Sequence, residues 1–344
     1  MYWKSDNSFP MAGGWSVWRP PFGRRKEGEA AVRRATWQWH PMDPVLVSSP
    51  GAERMLPPIC FPDMGTDLQR RMIGQYRLLL VMMACMILGF AGAGIRMHDL
   101  FFVKVGVAFV LLFVFVVLQY AFLFHNMERL RQYSRFCSWC YLQPQRQVIL
   151  MAMLLLFAGG IQCYLQWRVG SLFDVIERYG LIFENSARQP WRYIVGPFFH
   201  AGLAHWIANL SLLIVVAGLS YPLGSPRAIW AVFLSGVLLP AACLALLPHW
   251  IRSDAFLGVS GGVFALYGWV VGITFRYRRV FPPGLWWLLG YFVVATAAIS
   301  SVLDHRASWF VHSFGFVIGV LAGVSTLGLK LDFDPLDPHA NTAG

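Results

Sequence analysis

Eight runs of predominantly apolar residues mark out the chain, at roughly 78–95, 101–124, 148–167, 200–220, 227–247, 258–275, 284–302 and 309–328. Each approaches the ~20 residues a helix needs to cross hydrocarbon. The pattern predicts an all-α polytopic membrane protein. The first two runs are close enough to form a hairpin. The run at 258–275 is short, as expected of a helix that begins below the membrane surface. Between the third and fourth runs, SLFDVIERYGLIFENS mixes apolar and charged positions like an amphipathic helix lying in the interface. Trp191-Arg192 follow it as an anchor at headgroup level.

Composition agrees with this pattern. The chain is 57% hydrophobic and 13% charged, whereas a soluble domain carries about 25% charged residues. The net charge of +11 points to basic loops facing anionic lipid, and no basic-aromatic motif suggests nucleic acid. Arg70, Arg71 and Arg77, then Arg129, Arg131, Arg135 and Arg146, then Arg276, Arg278 and Arg279 fall on one side if the N-terminus is cytoplasmic. That bias favours both termini inside, and the absence of a clear targeting signal fits a bacterial inner (plasma) membrane.

The domain boundaries follow. Residues 1–75, with nine of the 20 prolines and no continuous apolar run, are expected to be a basic, disordered cytoplasmic extension. Residues 76–147 hold two transmembrane segments and a basic loop, 148–328 a six-segment core, and 329–344 a short cytoplasmic tail. Of six cysteines, Cys137 and Cys140 form CSWC, placed in a polar loop. A lone CxxC lacks the second pair of a structural zinc site, so neither metal nor cofactor is expected.

The chemistry lies in polar residues inside the apolar runs. His200, His205 and Asn209 open the fourth run; 205 and 209 are four apart and share a helix face. In the eighth, His312 is followed by Gly315, Gly319 and Gly323, so the glycine face is also the histidine face. The sixth offers a matching small-residue surface of Gly261, Gly262, Ala265, Gly268 and Gly272, headed by Ser260. Close packing of the two would bring Ser260 toward His312. A serine hydroxyl becomes a nucleophile when a base lies within hydrogen-bond reach. The Ser260 N–H, His205 and Asn209 are candidate donors to an oxyanion. No Asp or Glu lies in the apolar parts of runs three to eight, which argues for a Ser–His dyad rather than a triad. Plain helix packing and interhelical hydrogen bonding are the competing explanations of the glycines, histidines and asparagine. His249 and His305, at run ends or in loops, are taken as solvated.

GxSG at Gly258–Gly261, HxxxxHxxxN at His200, His205 and Asn209, HxxGxxxG at His312, Gly315 and Gly319, and the Trp191-Arg192 pair together resemble the rhomboid family of intramembrane serine proteases over 148–328. The resemblance implies a six-helix core with Ser260 as nucleophile and His312 as general base and acid; the two extra transmembrane segments that precede the core depart from the family's usual six or seven spans. His205, Asn209 and the Ser260 N–H would form the oxyanion site, supported by His200 and Gly258. Transmembrane proteins in the lipid bilayer would be the substrates. Run seven would flank their entry, with Trp286, Trp287 and Phe292 obstructing it. Phe264 stands where many members carry a tyrosine that stacks on the histidine. A catalytically silent rhomboid-like protein that binds membrane helices is the alternative, and a transporter is a third reading, disfavoured by the lack of an internal repeat. Oligomeric state is not specified.

Overall fold

The computed structural model describes residues 14–20, 23–37, 39–50, 55–143, 145–186, 188–246, 255–303 and 309–326. The expectations for His249, His305 and the 329–344 tail lie outside the described residues.

In chain order the elements begin with β1 (Ser16–Trp18), β2 (Lys26–Glu27), α1 (Glu29–Thr36) and β3 (Leu46–Ser48). Then come α2 (Pro62–Met97), α3 (Leu100–Gln119), α4 (Met127–Leu142), α5 (Arg146–Val169), α6 (Leu172–Tyr179), β4 (Leu181–Ile182), α7 (Phe183–Ser186) and α8 (Arg192–Val195). The chain continues with α9 (Leu203–Ser220), α10 (Pro226–Leu246), β5 (Ala255–Phe256), α11 (Ser260–Arg276), α12 (Leu285–Leu303) and α13 (Trp309–Ser325). A helix stands at each of the eight apolar runs. Six of the described helices are long and apolar enough to cross a membrane: α2, α3, α5, α9, α10 and α12. Helices α11 and α13, of 17 residues each, are shorter.

Helix boundaries follow local chemistry. Asp99 accepts from the Phe101 N–H and Asn126 from the Arg129 N–H, capping α3 and α4. Gly170, at φ 105°, ends α5 in the left-handed conformation that glycine adopts without strain.

The chain divides into two compact units. The first comprises residues 1–143, 277–304 and 330–344. Among the described residues of its N-terminal part, strands and helices stand where the sequence suggested disorder. A three-stranded antiparallel sheet, in the order β2-β1-β3, aligns Val17 with Val47 and Trp18 with Leu46. The sheet and α1 share a small core of Val17, Val32, Trp39, Val45, Leu46, Val47 and Ile59, all buried. Strands of two or three residues are too short to show alternation in sequence, and Pro58 and Pro62 sit in the first turns of helical segments. The boundary placed at 75/76 falls inside α2, whose polar first turns continue from this small module. The Trp15 and Phe61 rings meet at 5.8 Å, and His40 and Tyr76 share a hydrogen bond of 2.9 Å.

CSWC is not in a loop. Tyr133, Phe136 and Cys140, at helical spacing, together with Trp139 form the buried face of α4. Helix α12, which links α11 to α13 in sequence, packs on α3 within this first unit. Tyr291 stacks on Phe115 at 5.9 Å and donates its hydroxyl to the Leu111 carbonyl at 3.0 Å. The Tyr133 hydroxyl donates to the Pro283 carbonyl at 2.9 Å, and Trp287 lies edge-on to Phe122 at 5.0 Å. Trp287 and Phe292, which contacts Phe115 at 5.7 Å, therefore serve packing within this unit.

The second unit, residues 144–276 and 305–329, is arranged around α11. Every α11 residue from Ser260 to Thr274 is buried, the state expected of a helix that is apolar on all sides. Helix α13 lies along α11 at backbone contact. A Cβ on Gly272 would come 2.5 Å from the Val320 carbonyl oxygen, and one on Gly319 would come 2.8 Å from the Trp269 nitrogen. Gly315 faces the Gly261 carbonyl, and Gly323 the Trp269 carbonyl. Two members of the expected surface differ: Gly262 faces α10, against Val237 and Phe233, and the Ala265 Cβ lies against Gly236 of α10.

The α4 geometry yields a chemical prediction. Burial pushes the Cys137 thiol up to about 12 and raises the Cys140 thiol well above its ordinary value. Since the thiolate is the reactive form, iodoacetamide at pH 8 is expected to leave both unmodified in the folded protein and to alkylate both after denaturation. Peptide mass mapping reads the outcome; rapid native alkylation of Cys140 would contradict its buried placement.

Candidate active site

Ser260 is the first residue of α11, and the turn before it is dictated by Gly258. Gly258 has φ 96°, and a Cβ there would sit 2.8 Å from the His205 Cε1 and 3.5 Å from the Asn209 Nδ2. Only glycine satisfies both the backbone angle and the space. The Gly262 and Val263 N–H groups donate to the Val259 carbonyl, starting the helix with the Ser260 side chain on its first turn. Ser260 is 7% exposed.

Across from it, α13 presents His312, 5% exposed. The Ser260 Oγ and His312 Nε2 share a hydrogen bond of 3.0 Å. On its other face the imidazole is covered by Phe264, the ring centroids 4.3 Å apart and the planes 9° from parallel. The stacking expected of a phenyl ring here is present. The His312 Nδ1 is buried without a hydrogen-bond partner among the described residues, so the pair has no third, orienting carboxylate there.

His205 and Asn209, on one face of α9, border the Gly258 turn. Asn209 is buried, its Nδ2 without a partner among the described residues. His200 lies ahead of α9 rather than within it. Its ring meets the His205 ring edge-on at 5.3 Å, and its main chain is held by Gln162 of α5. The structure therefore brings Ser260, His312, His205, Asn209, His200 and Gly258 into one place. Gly261, Gly315 and Gly319 form the contact beneath it.

Trp191 and Arg192 part company. Trp191 is exposed, as an interfacial anchor would be, whereas Arg192 is 4% exposed and does not face headgroups. Its guanidinium donates to the carbonyls of Glu177, Arg178 and Gly180, each at 2.8 Å, and to the Gln189 side chain at 2.6 Å. These carbonyls are at the C-terminal end of α6, where the helix dipole favours a cation. Two residues on, β4 pairs antiparallel with β5, Leu181 opposite Phe256. Leu181 and Phe256 pack with Ala241, Leu244 and Val311, next to His312. The long loop is thus stapled to the strand that leads directly into Gly258 and Ser260.

Two contributors escaped the sequence reading. Gln162 was detectable as a polar residue inside an apolar run. The β4–β5 pairing, two residues in each strand and more than seventy apart, carries no local signal.

A family model, the Rhomboid domain, matches residues 187–328. The chain carries a rhomboid domain. That segment is similar to the rhomboid family, and the chain is a multi-pass integral membrane protein built from helices. No curated protein and no solved structure matches the chain. The rhomboid match spans Arg192, α9, α10, α11, α12 and α13, and so includes both halves of the serine–histidine pair; α5 and everything before it lie outside.

Arg192→Leu is expected to lower the unfolding free energy of the rhomboid domain by roughly 3 kcal/mol. It removes charge-assisted donors from buried carbonyls, each bond to a charged group contributing about 1.5–3 kcal/mol. Thermal unfolding in detergent measures the loss, and hydrogen exchange should rise first at Ala255–Gly258. Wild-type stability in this variant would refute the clasp.

Proposed function

We propose that the rhomboid domain is an active intramembrane serine endopeptidase, with transmembrane proteins as substrates and the Ser260–His312 pair as its dyad. The single observation that carries this reading is the buried hydrogen bond of 3.0 Å between the two side chains.

The chemistry follows from the groups present. With His312 neutral, the Ser260 hydroxyl donates to Nε2, and as Oγ attacks a peptide carbonyl its proton passes to the imidazole. The imidazolium is held against the Phe264 face, where the ring quadrupole favours a cation. Negative charge developing on the carbonyl oxygen is met by donors that need no reorganisation: the Ser260 N–H at the start of α11, His205 and Asn209. His312 then protonates the departing amine, and water hydrolyses the ester by the same route in reverse. The scissile segment has to unwind, since helical carbonyls are engaged in hydrogen bonds. The basic residues at 70–77, 129–146 and 276–279 support cytoplasmic termini, in keeping with a bacterial plasma membrane.

The test is cleavage of a fluorogenic transmembrane reporter by purified full-length protein, with products identified by mass spectrometry. Ser260→Ala and His312→Ala are expected to abolish cleavage while still inserting in the membrane. Asn209→Ala should retain activity reduced about 100-fold or less, because one oxyanion donor is worth about 10²–10³ and the others remain. Activity should fall on acidification, as the base becomes protonated. Full activity in His312→Ala would overturn the assignment. Wild type that neither cuts nor is labelled at Ser260 by a fluorophosphonate would identify a silent helix-binding protein instead.

A further inference from the structure

One side chain of α5 holds the main chain at the entrance to α9. The Gln162 Oε1 accepts from the His200 N–H at 2.9 Å, and its Nε2 donates to the His200 carbonyl at 2.7 Å. A carboxamide that engages both backbone groups of one residue does what a neighbouring strand would do: it fixes that peptide in height and rotation. Gln162 is 7% exposed and stands among apolar residues, where an unpaired amide is costly. Its two bonds account for its presence.

A second contact sets the same register. One helical turn before Gln162, Gly159 leaves space for Trp206, and a Cβ there would come 2.6 Å from the Trp206 Nε1. That nitrogen donates to the Leu155 carbonyl at 3.1 Å. Helix α5 therefore grips the chain on either side of His205, at His200 and at Trp206. His205 lies against the His200 ring and borders the Gly258 turn, and Asn209 follows one turn later on the same face. Gln162 touches none of the candidate reacting groups.

We infer that Gln162 is a positioning residue for the oxyanion site: through the His200 main chain it sets where the His205 and Asn209 side chains stand relative to Ser260. The inference rests on the protease reading above. It assigns a functional part to a helix that the Rhomboid domain match does not reach. Removing the two bonds allows α9 to shift by a fraction of an ångström, and displacement of catalytic groups on that scale is costly in rate.

The experiment is a double-mutant cycle in full-length protein reconstituted in liposomes. It uses the transmembrane reporter, with Gln162→Leu, Asn209→Ala and the pair. Gln162→Leu is expected to reduce kcat about tenfold or more, with KM within about twofold. In the Asn209→Ala background the same substitution should reduce kcat by a smaller factor than in the wild-type background, because one of the two donors it positions is already gone while His205 remains. The fall in thermal unfolding temperature should be equal in both backgrounds. Gln162→Met, which keeps length without the amide, is the second variant and should behave like Gln162→Leu. Equal kcat losses in both backgrounds would reduce Gln162 to a structural role and overturn the inference. So would unchanged kcat in Gln162→Leu and Gln162→Met beside an active wild type. Wild type without turnover or Ser260 labelling would overturn the protease reading itself, and this inference with it.

Discussion

The distance between two helix backbones governs the rest of the rhomboid domain. Ser260 and His312 can share a hydrogen bond because α11 and α13 touch through main chain, with Gly261, Gly268 and Gly272 on one side and Gly315, Gly319 and Gly323 on the other. In a bilayer no hydrophobic force draws two apolar helices together, since lipid is as apolar as they are; close van der Waals contact supplies the attraction instead. The same glycines therefore stabilise the fold and set the site geometry. A single methyl group at Gly319 would separate the helices that carry the serine and the histidine.

Around that contact, polar groups taken into an apolar interior are tied to carbonyls or amides of the main chain. Arg192 satisfies the end of α6, Trp206 a carbonyl of α5, and Gln162 both backbone groups of His200. Unpaired, such groups would be expensive; paired, they become rigid links from the periphery to the Gly258 turn. The route from Arg192 through β4 to β5 reaches Ser260 from one direction, and the route from Gln162 through His200 reaches His205 from another. Among the described residues, the Asn209 Nδ2 and the His312 Nδ1 at the site are buried without hydrogen-bond partners. Groups left unpaired and already in position are suited to charge that appears only during a reaction.

The first unit shows a different economy. Its N-terminal module builds a core from seven buried apolar side chains and strands of two or three residues, attached to the base of α2 by ring contacts and single hydrogen bonds. Further along, α3 receives α12 through the stack of Phe115 on Tyr291. A helix that separates the serine and histidine helices in sequence is thus packed on a segment that the Rhomboid domain match does not include.

Sequence alone was sufficient for the features that depend on composition and spacing. A helix stands at each of the eight apolar runs, because burial in lipid demands length and hydrophobicity that few other structures require. The i, i+4 spacing placed His205 and Asn209 on one face, and the glycine pattern after His312 predicted its approach to Ser260. It did not reveal contacts whose partners are distant in the chain. The order among the described residues of 14–60 rests on strands too short to show a period, and the α4 face of Tyr133, Phe136 and Cys140 was hidden by its polar neighbours. Arg192 looked like a headgroup anchor, since local sequence cannot show that three carbonyls converge on it. Gln162 acquired its meaning when α5 was set beside His200. Local periodicity is written along the chain, whereas the pairing of a buried polar group depends on which other segment arrives there, and only the tertiary structure decides that.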